Sequence, residues 1–214
     1  MTRQGTSSIT DLHFVFSHVG SRLLNSILTL PRRLKKFEYI ISMGDNVAPP
    51  VTLSELVPGL HLHRHSLTDL TFSDDSAGEF FAADGEMIES LSEFTSLTYL
   101  RLPLLMLLGY PQGGVELEMA TMDPIGPLLP LSLVHFELEL QGLAIQRIML
   151  ATGYPDSWLM SRQHFQCLEH FVVHRDIIDF EGDMSSDIKP ALAAFPDMKE
   201  KFEAAKIIVE PRVE

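Results

Sequence analysis

Three histidines alternate over five positions and form the most conspicuous candidate metal site of the sequence. They are His61, His63 and His65 in the segment LHLHRHS. If this segment is extended, the three imidazoles project from one face of a strand and could bind zinc together. The sequence places no carboxylate or fourth ligand beside them, and a polar run leading into a strand, with Leu62 as its inward anchor, explains the segment more simply. We therefore predict no metal and no cofactor, and keep these histidines as weak metal candidates.

Two other motifs match fragments of enzyme sites. Segment 174–176 reads His-Arg-Asp, like the start of a kinase catalytic loop, but the downstream asparagine, the glycine-rich loop and its lysine are missing. Cys167 has His164 and His170 nearby, yet neither an oriented base nor an oxyanion site is indicated, and a small buried hydrophobic residue is the simpler interpretation. The sequence therefore predicts no catalytic residue and a protein that is not an enzyme.

Charge and composition narrow the classes of partner. The chain has 214 residues, 45% of them apolar, and a net charge of −13, which suits one globular domain. Residues 1–110 carry 8 basic and 12 acidic groups, and residues 111–214 carry 8 and 17. A phosphate backbone or an anionic membrane is repelled by such a chain, so we predict another protein as the partner, possibly with a basic surface, and neither nucleic acid nor membrane.

Targeting signals and membrane spans are not evident in the sequence. Cys167 is the single cysteine, which fits a reducing compartment. The polar start of the chain offers no signal-peptide apolar region. The longest apolar run, 102–110, contains Pro103 and is far shorter than the ~20 residues that a membrane helix needs. We expect a cytoplasmic or nuclear protein.

A six-residue pattern, Leu-x-x-apolar-x-apolar, recurs five times at near-constant spacing. The five blocks are LKKFEY, LTDLTF, LTYLRL, LVHFEL and LEHFVV, starting at Leu34, Leu67, Leu97, Leu133 and Leu168. Their starts are 33, 30, 36 and 35 residues apart. The last three positions of each block alternate apolar, polar, apolar, as a strand with one buried face requires. The repeat predicts an α/β solenoid of about five adjacent parallel strands, at 37–39, 70–72, 100–102, 136–138 and 171–173, with helices on the convex side.

The segments around these strands carry helical signals. Residues 12–30 show apolar side chains at three-four spacing, which predicts one long N-terminal helix. Thr52 and Glu55 form a capping box before a short helix that Pro58 and Gly59 should end. Further helices are predicted to start at Asp84, Asp123, Asp156 and Asp187. The resulting organisation is one domain, 1–214, with a helical cap at 1–30, repeats at 31–180 and a helical cap or tail at 181–214.

The outward positions of the predicted strands form two columns across the concave face. The first column is Lys36, Asp69, Tyr99, His135 and His170. The second column is Glu38, Thr71, Arg101, Glu137 and Val172. Their mixture of aromatic, arginine and histidine groups suits protein recognition, although each residue singly can also be only a solvated strand position. Tyr99, Arg101 and His135 lie nearest the centre, where binding hot spots concentrate.

The repeats resemble a known family. One sequence motif consists of Phe94, Leu97, Leu100, Leu102, Pro103, Leu108 and Gly109. A second motif consists of Leu129, Pro130, Ser132, Leu133, Phe136 and Leu138. Over residues ~30–175 they resemble the degenerate leucine-rich repeats of fungal F-box/leucine-rich-repeat proteins. The resemblance implies a substrate-recognition domain of a cullin-type ubiquitin ligase.

The F-box that such proteins use to dock the ligase adaptor is not evident. Leu30-Pro31 is the only early Leu-Pro pair, and a strand block followed by GDNVAPP comes after it instead of a helical module. We therefore do not expect this chain to bind a cullin adaptor. A protein-binding module is the predicted function, a stand-alone interaction scaffold is the alternative, and a metal-dependent enzyme using His61, His63 and His65 is the third.

Overall fold

The computed structural model describes residues 5–15, 19–41, 53–74, 90–103, 106, 128–140, 166–175 and 208–213. These ranges contain two helices, α1 (Ser21–Leu28) and α2 (Leu53–His61). They also contain seven strands: β1 (Asp11–Val15), β2 (Lys36–Ile41), β3 (Asp69–Asp74), β4 (Tyr99–Pro103), β5 (His135–Leu140), β6 (His170–Arg175) and β7 (Ile208–Val213).

All seven strands belong to one sheet whose spatial order follows the chain, from β1 to β7. Every neighbouring pair is parallel. The prediction of an α/β fold with five adjacent parallel strands is confirmed, since β2 to β6 contain the five predicted segments. The number of strands was underestimated, because β1 and β7 extend the sheet at its two ends.

One face of the sheet packs the core. The leucine that opens each block is buried, at Leu34, Leu67, Leu97, Leu133 and Leu168. The inward strand positions that follow hold large side chains, and aromatic pairs join neighbouring strands. Phe37 meets Phe72 edge-on with ring centres 5.7 Å apart, and Phe136 lies 5.4 Å from Phe171. These cross-strand contacts fix the register, because a shift of one residue would turn every apolar side chain to the other face.

The helices α1 and α2 pack closely against each other. Their buried leucines are Leu24, Leu28, Leu56 and Leu60. A Cβ on Gly59 would lie 2.5 Å from Asn25 Oδ1 and 2.9 Å from Leu28 Cδ1, so any larger residue there would have to displace these two side chains. Neither helix in the described ranges has the length and hydrophobicity to cross a membrane.

The prediction that Pro58 and Gly59 end the second helix was wrong, because α2 continues to His61. Pro58 is exposed, while Val57 and Leu60 beside it are buried. Proline costs the helix one backbone hydrogen bond. Burial of the neighbouring apolar side chains offsets that loss.

The predicted N-terminal helix over residues 12–30 was also wrong. Residues 11–15 form strand β1, and among the described residues of this range the helix covers 21–28. The apolar residues around 11–15 fit the period of a strand as well as that of a helix. The strand forms because the free edge of β2 offers backbone hydrogen bonds to it. Phe14 then lies on the core side, with its ring 6.2 Å from the rings of both Phe37 and Tyr39. Gly20 separates the strand from α1.

The predicted helical cap at 181–214 needs a correction at its end, where residues 208–213 form strand β7. The segment IIVEPRV is rich in β-branched residues, which favour a strand wherever a sheet edge can pair with them. The helices predicted to start at Asp123, Asp156 and Asp187 lie outside the described residues. The start of the helix predicted from Asp84 does so too, and residues 90–94 form no helix, although Leu91 and Phe94 are buried.

Candidate protein-binding face

The side of the sheet opposite the core carries both predicted columns, and we call it the column face. In the first column, Lys36 is in register with Asp69, Asp69 with Tyr99, Tyr99 with His135 and His135 with His170. The second column is in register in the same way, from Glu38 through Thr71, Arg101 and Glu137 to Val172. The five residues of each column therefore lie side by side on adjacent strands.

The first column is the accessible one. Lys36 is exposed, with its Nζ 3.4 Å from Asp69 Oδ1. The next three members, Tyr99, His135 and His170, are partly exposed, and their side-chain rings stack on one another. The ring centres of Tyr99 and His135 are 5.0 Å apart with an interplanar angle of 27°, and those of His135 and His170 are 5.4 Å apart at 24°. We call Tyr99, His135 and His170 the ring ladder.

Most of the second column is shielded from solvent, although it contains charged residues. Thr71, Glu137 and Val172 are buried there. Buried carboxylates need partners, because desolvation of an unpaired charge costs several kcal/mol. Those partners come from three strands and form a network that we call the polar cluster. Its members are Tyr99, Arg101, His135, Glu137, Glu139 and His174.

Glu137 is the centre of the polar cluster. Its Oε1 lies 2.9 Å from Nε2 of His135, and its Oε2 lies 2.5 Å from Nε2 of His174. Burial by itself raises the pKa of Glu137, but hydrogen bonds from His174, Tyr99 and His135, together with the charge interaction with His174, lower it to about 2. Glu137 is therefore ionised at neutral pH and accepts hydrogen bonds. It follows that His135 and His174 donate through Nε2.

Arg101 supplies the compensating positive charge. Its Nε donates to Glu139 Oε1 at 2.6 Å and lies 4.0 Å from Glu137 Oε2. The side chains of Glu137 and Glu139 are only 7% and 6% exposed, against 21% for Arg101. A guanidinium shared by two buried carboxylates in this way acts mainly as a support of the fold. Of the three predicted hot-spot residues, Tyr99 and His135 belong to the accessible ring ladder. Arg101 instead pairs with the buried carboxylates Glu137 and Glu139.

Two members of the polar cluster were missed in the sequence. Glu139 and His174 are in register with each other on β5 and β6. Each lies two residues beyond a second-column member, so continuing the period of two along the strands would have found them. His174 was considered only within the His-Arg-Asp motif at 174–176. Asp176 lies outside the described residues, and the contact of His174 is with Glu137.

The three alternating histidines do not lie on one extended strand. His61 ends α2, and residues 62–66 form a turn. Leu62 was predicted to point into the core, but it is 49% exposed, so that prediction was wrong. The neighbouring residue, His63, is the buried one. His61 and His65 face Glu93 and Thr95 respectively. The turn therefore separates the three rings, and the described residues hold no group of three or more potential ligands that could bind a metal ion.

His63 has a structural role instead. Its Nδ1 accepts a hydrogen bond from the backbone N–H of Leu34 at 3.3 Å, and its Nε2 donates to the carbonyl oxygen of Leu28 at 2.8 Å. Because one ring nitrogen accepts and the other donates, this arrangement requires the neutral imidazole. The ring thus ties the end of α1 to the turn before β2.

Cys167 occupies an exposed turn before β6. The interpretation of this cysteine as a buried hydrophobic residue was wrong, because the buried position of its block is the neighbouring Leu168. His164, one of the two histidines near it in the sequence, lies outside the described residues.

Comparison of the chain with protein-family models, with curated proteins and with solved structures finds no match.

Proposed function

We propose that this chain is a leucine-rich-repeat solenoid module that binds another protein through the first column of its concave face. The ring ladder is the observation that supports this proposal most strongly. Three partly exposed rings on neighbouring strands form a continuous surface about two strand spacings wide. Aromatic groups of this kind are enriched where proteins bind each other.

The polar cluster makes such a surface rigid before any partner arrives. Glu137 accepts hydrogen bonds from both Tyr99 and His135, and His135 is held between the other two rings. A ring whose orientation is already fixed loses little conformational entropy on binding. We therefore assign the two columns different tasks: the first contacts the partner, and the second holds the first in place.

The resemblance to fungal F-box/leucine-rich-repeat proteins suggests a setting for this binding. In that setting the module recognises a substrate of a cullin-type ubiquitin ligase. Because the sequence shows no F-box, we expect the chain not to capture a cullin adaptor on its own. A stand-alone interaction scaffold is the alternative. Co-purification with the adaptor tests the expectation: stable capture would overturn it and make the chain a ligase subunit, whereas failure together with capture of another protein would favour the scaffold.

Site-specific photocrosslinking tests the binding proposal directly. A photoreactive phenylalanine analogue replaces His170, which stacks on His135 at the end of the ring ladder. The matched control carries the same analogue at Arg22, an exposed position on α1. In cells that express the full chain, we expect a discrete crosslinked protein from position 170 and none from position 22. Crosslinks of equal yield and identity from both positions would contradict the proposal.

A further inference from the structure

The turn before β2 is unusually basic for an acidic protein. Arg32, Arg33 and Lys35 are exposed there, and we call these three residues the basic turn. Leu34 between them is fully buried, so Arg33 and Lys35 flank an anchored residue. The turn leads directly into Lys36, the first member of the first column.

Hydrogen bonds on both sides hold the backbone of the basic turn. The N–H groups of Lys35 and Lys36 both donate to the carbonyl oxygen of Thr10, at 2.7 and 3.0 Å. The N–H of Leu34 donates to His63. The carbonyl oxygen of Lys35 accepts from the N–H of Thr68 at 2.8 Å. The positive charges therefore sit on a fixed support, which lowers the entropic cost of using them in binding.

Within the described ranges, no ion pair balances the charges of the basic turn. Lys36 next to it pairs with Asp69 and is in register with Asp11, so its charge is compensated. Arg32 donates to the carbonyl oxygen of Gly5, which leaves its charge in place. Arg33 and Lys35 form no ion pair with any residue in the described ranges.

The net negative charge of the whole chain does not describe the charge around the basic turn, which is positive. The described ranges carry nine Lys and Arg against ten Asp and Glu, so most of the net charge of −13 lies in the rest of the sequence. At physiological ionic strength, interactions between exposed charges fade beyond about 8 Å. The local groups therefore decide what binds at the basic turn.

We propose that the basic turn binds an acidic polypeptide segment, with aspartate or glutamate carboxylates two residues apart. This inference rests on the proposed function and names the chemistry of the partner at one end of the first column. Alternate residues of an extended segment lie about 7 Å apart on one side, which suits the alternation of Arg33, buried Leu34 and Lys35. It differs from the expectation of a basic partner surface, which was drawn from the net charge of the whole chain and stays a prediction.

A nucleic acid fits the same place less well. A phosphate backbone gains affinity from many contacts along a track. Here three positive charges lie together on one turn, and Lys36 beside it is in register with Asp11 and Asp69, which would repel further phosphates. A short acidic segment can end before it reaches these carboxylates.

The test measures binding of fluorescent peptides to the full chain at low salt. An alternating Glu-Ser octapeptide is compared with a Gln-Ser octapeptide, a single-stranded DNA of equal charge and phosphatidylserine vesicles. We expect the Glu-Ser peptide alone to bind, with Kd raised at least about fivefold by the double variant R33A/K35A. The control R22E, on the exposed surface of α1, changes the net charge equally and should alter Kd less than about twofold.

Absence of Glu-Ser binding, equal weakening by R33A/K35A and R22E, or tighter binding of DNA or vesicles at equal charge would each overturn the inference. Circular dichroism confirms that the variants fold, which is expected because the altered side chains are exposed. Photocrosslinking at position 170 is independent of this result. If crosslinking fails while the peptide still binds, the proposed function is wrong and the acidic-segment site stands.

Discussion

The two faces of the sheet bury their side chains by different means. On the core face, aromatic and leucine side chains interlock, and His63 satisfies both of its ring nitrogens with backbone groups. On the column face, the buried groups are carboxylates that depend on Arg101 and on imidazoles from neighbouring strands. The core face therefore tolerates loss of volume poorly, whereas the column face tolerates loss of charge balance poorly. This difference can be measured one residue at a time.

The largest effect is expected on the core face. Phe72 is fully buried and packs edge-on against Phe37. Phe72→Ala removes this contact and leaves a cavity, so we expect the free energy of unfolding to fall by about 4 kcal/mol. Urea denaturation followed by circular dichroism measures it. A loss below about 1 kcal/mol would mean that Phe72 on β3 is not packed in the core.

The next largest effect is expected from the charge balance of the polar cluster. Arg101→Ala leaves Glu139 buried without its guanidinium partner and should cost about 3 kcal/mol. The double variant R101A/E139Q removes the uncompensated charge and should recover part of that loss. Arg22→Ala, on the exposed surface of α1, is the control and should change little. If R101A is as harmless as R22A, the carboxylates are not supported by Arg101.

Acid should weaken the column face through Glu137. Its pKa is about 2 in the folded protein against an ordinary value of 4.5, so the folded state favours the ionised form. The resulting stability, about 3 kcal/mol, is fully present above pH 4.5 and is lost as the pH falls towards 2.

Glu137→Gln should remove this part of the pH dependence. Denaturation curves collected between pH 7 and pH 3 measure it, with Glu38→Gln in the same column as the control. Identical slopes for wild type and E137Q over that interval would show that Glu137 is not held as a carboxylate.

A smaller effect is expected where α1 meets α2. Gly59→Ala brings a methyl group against Asn25 and Leu28, and we expect a loss of about 1 kcal/mol after the gain in helix propensity is subtracted. Ser26 is exposed on α1, so Ser26→Ala should be nearly neutral and serves as the control. Thermal denaturation of both variants gives the comparison. Equal melting temperatures would place the two helices further apart than the structure does.

Sequence patterns were sufficient for the strands and insufficient for the ends of the sheet. The period of two in the five blocks reports a strand with one buried face, and this requirement is local, so β2 to β6 and their register followed from it. β1 could not be derived in this way, because Leu12 fits a helical period with Val15 and Phe16 as well as a strand period with Phe14. The free edge of β2, which decides between them, is a property of the assembled sheet.

The columns of the candidate site were predictable, but the division of labour within them was not. The spacing of the blocks aligned Tyr99, His135 and His170 correctly. Burial of Glu137 depends on neighbours contributed by three strands, and no single segment carries that information. Polar residues at outward strand positions are normally solvated, so the sequence pattern alone favours exposure for both columns.

The central claim is that the first column binds a partner while the second supports it. The most direct test uses His170→Ala, which shortens the ring ladder and leaves Glu137 with His135 and His174. Capture of the protein that crosslinks at position 170 is measured alongside the melting temperature, with Arg22→Ala as control. The account predicts at least tenfold weaker capture by H170A, corresponding to about 1.4 kcal/mol, with a melting temperature within about 2 °C of the wild type. Undiminished capture by a folded H170A variant would contradict it.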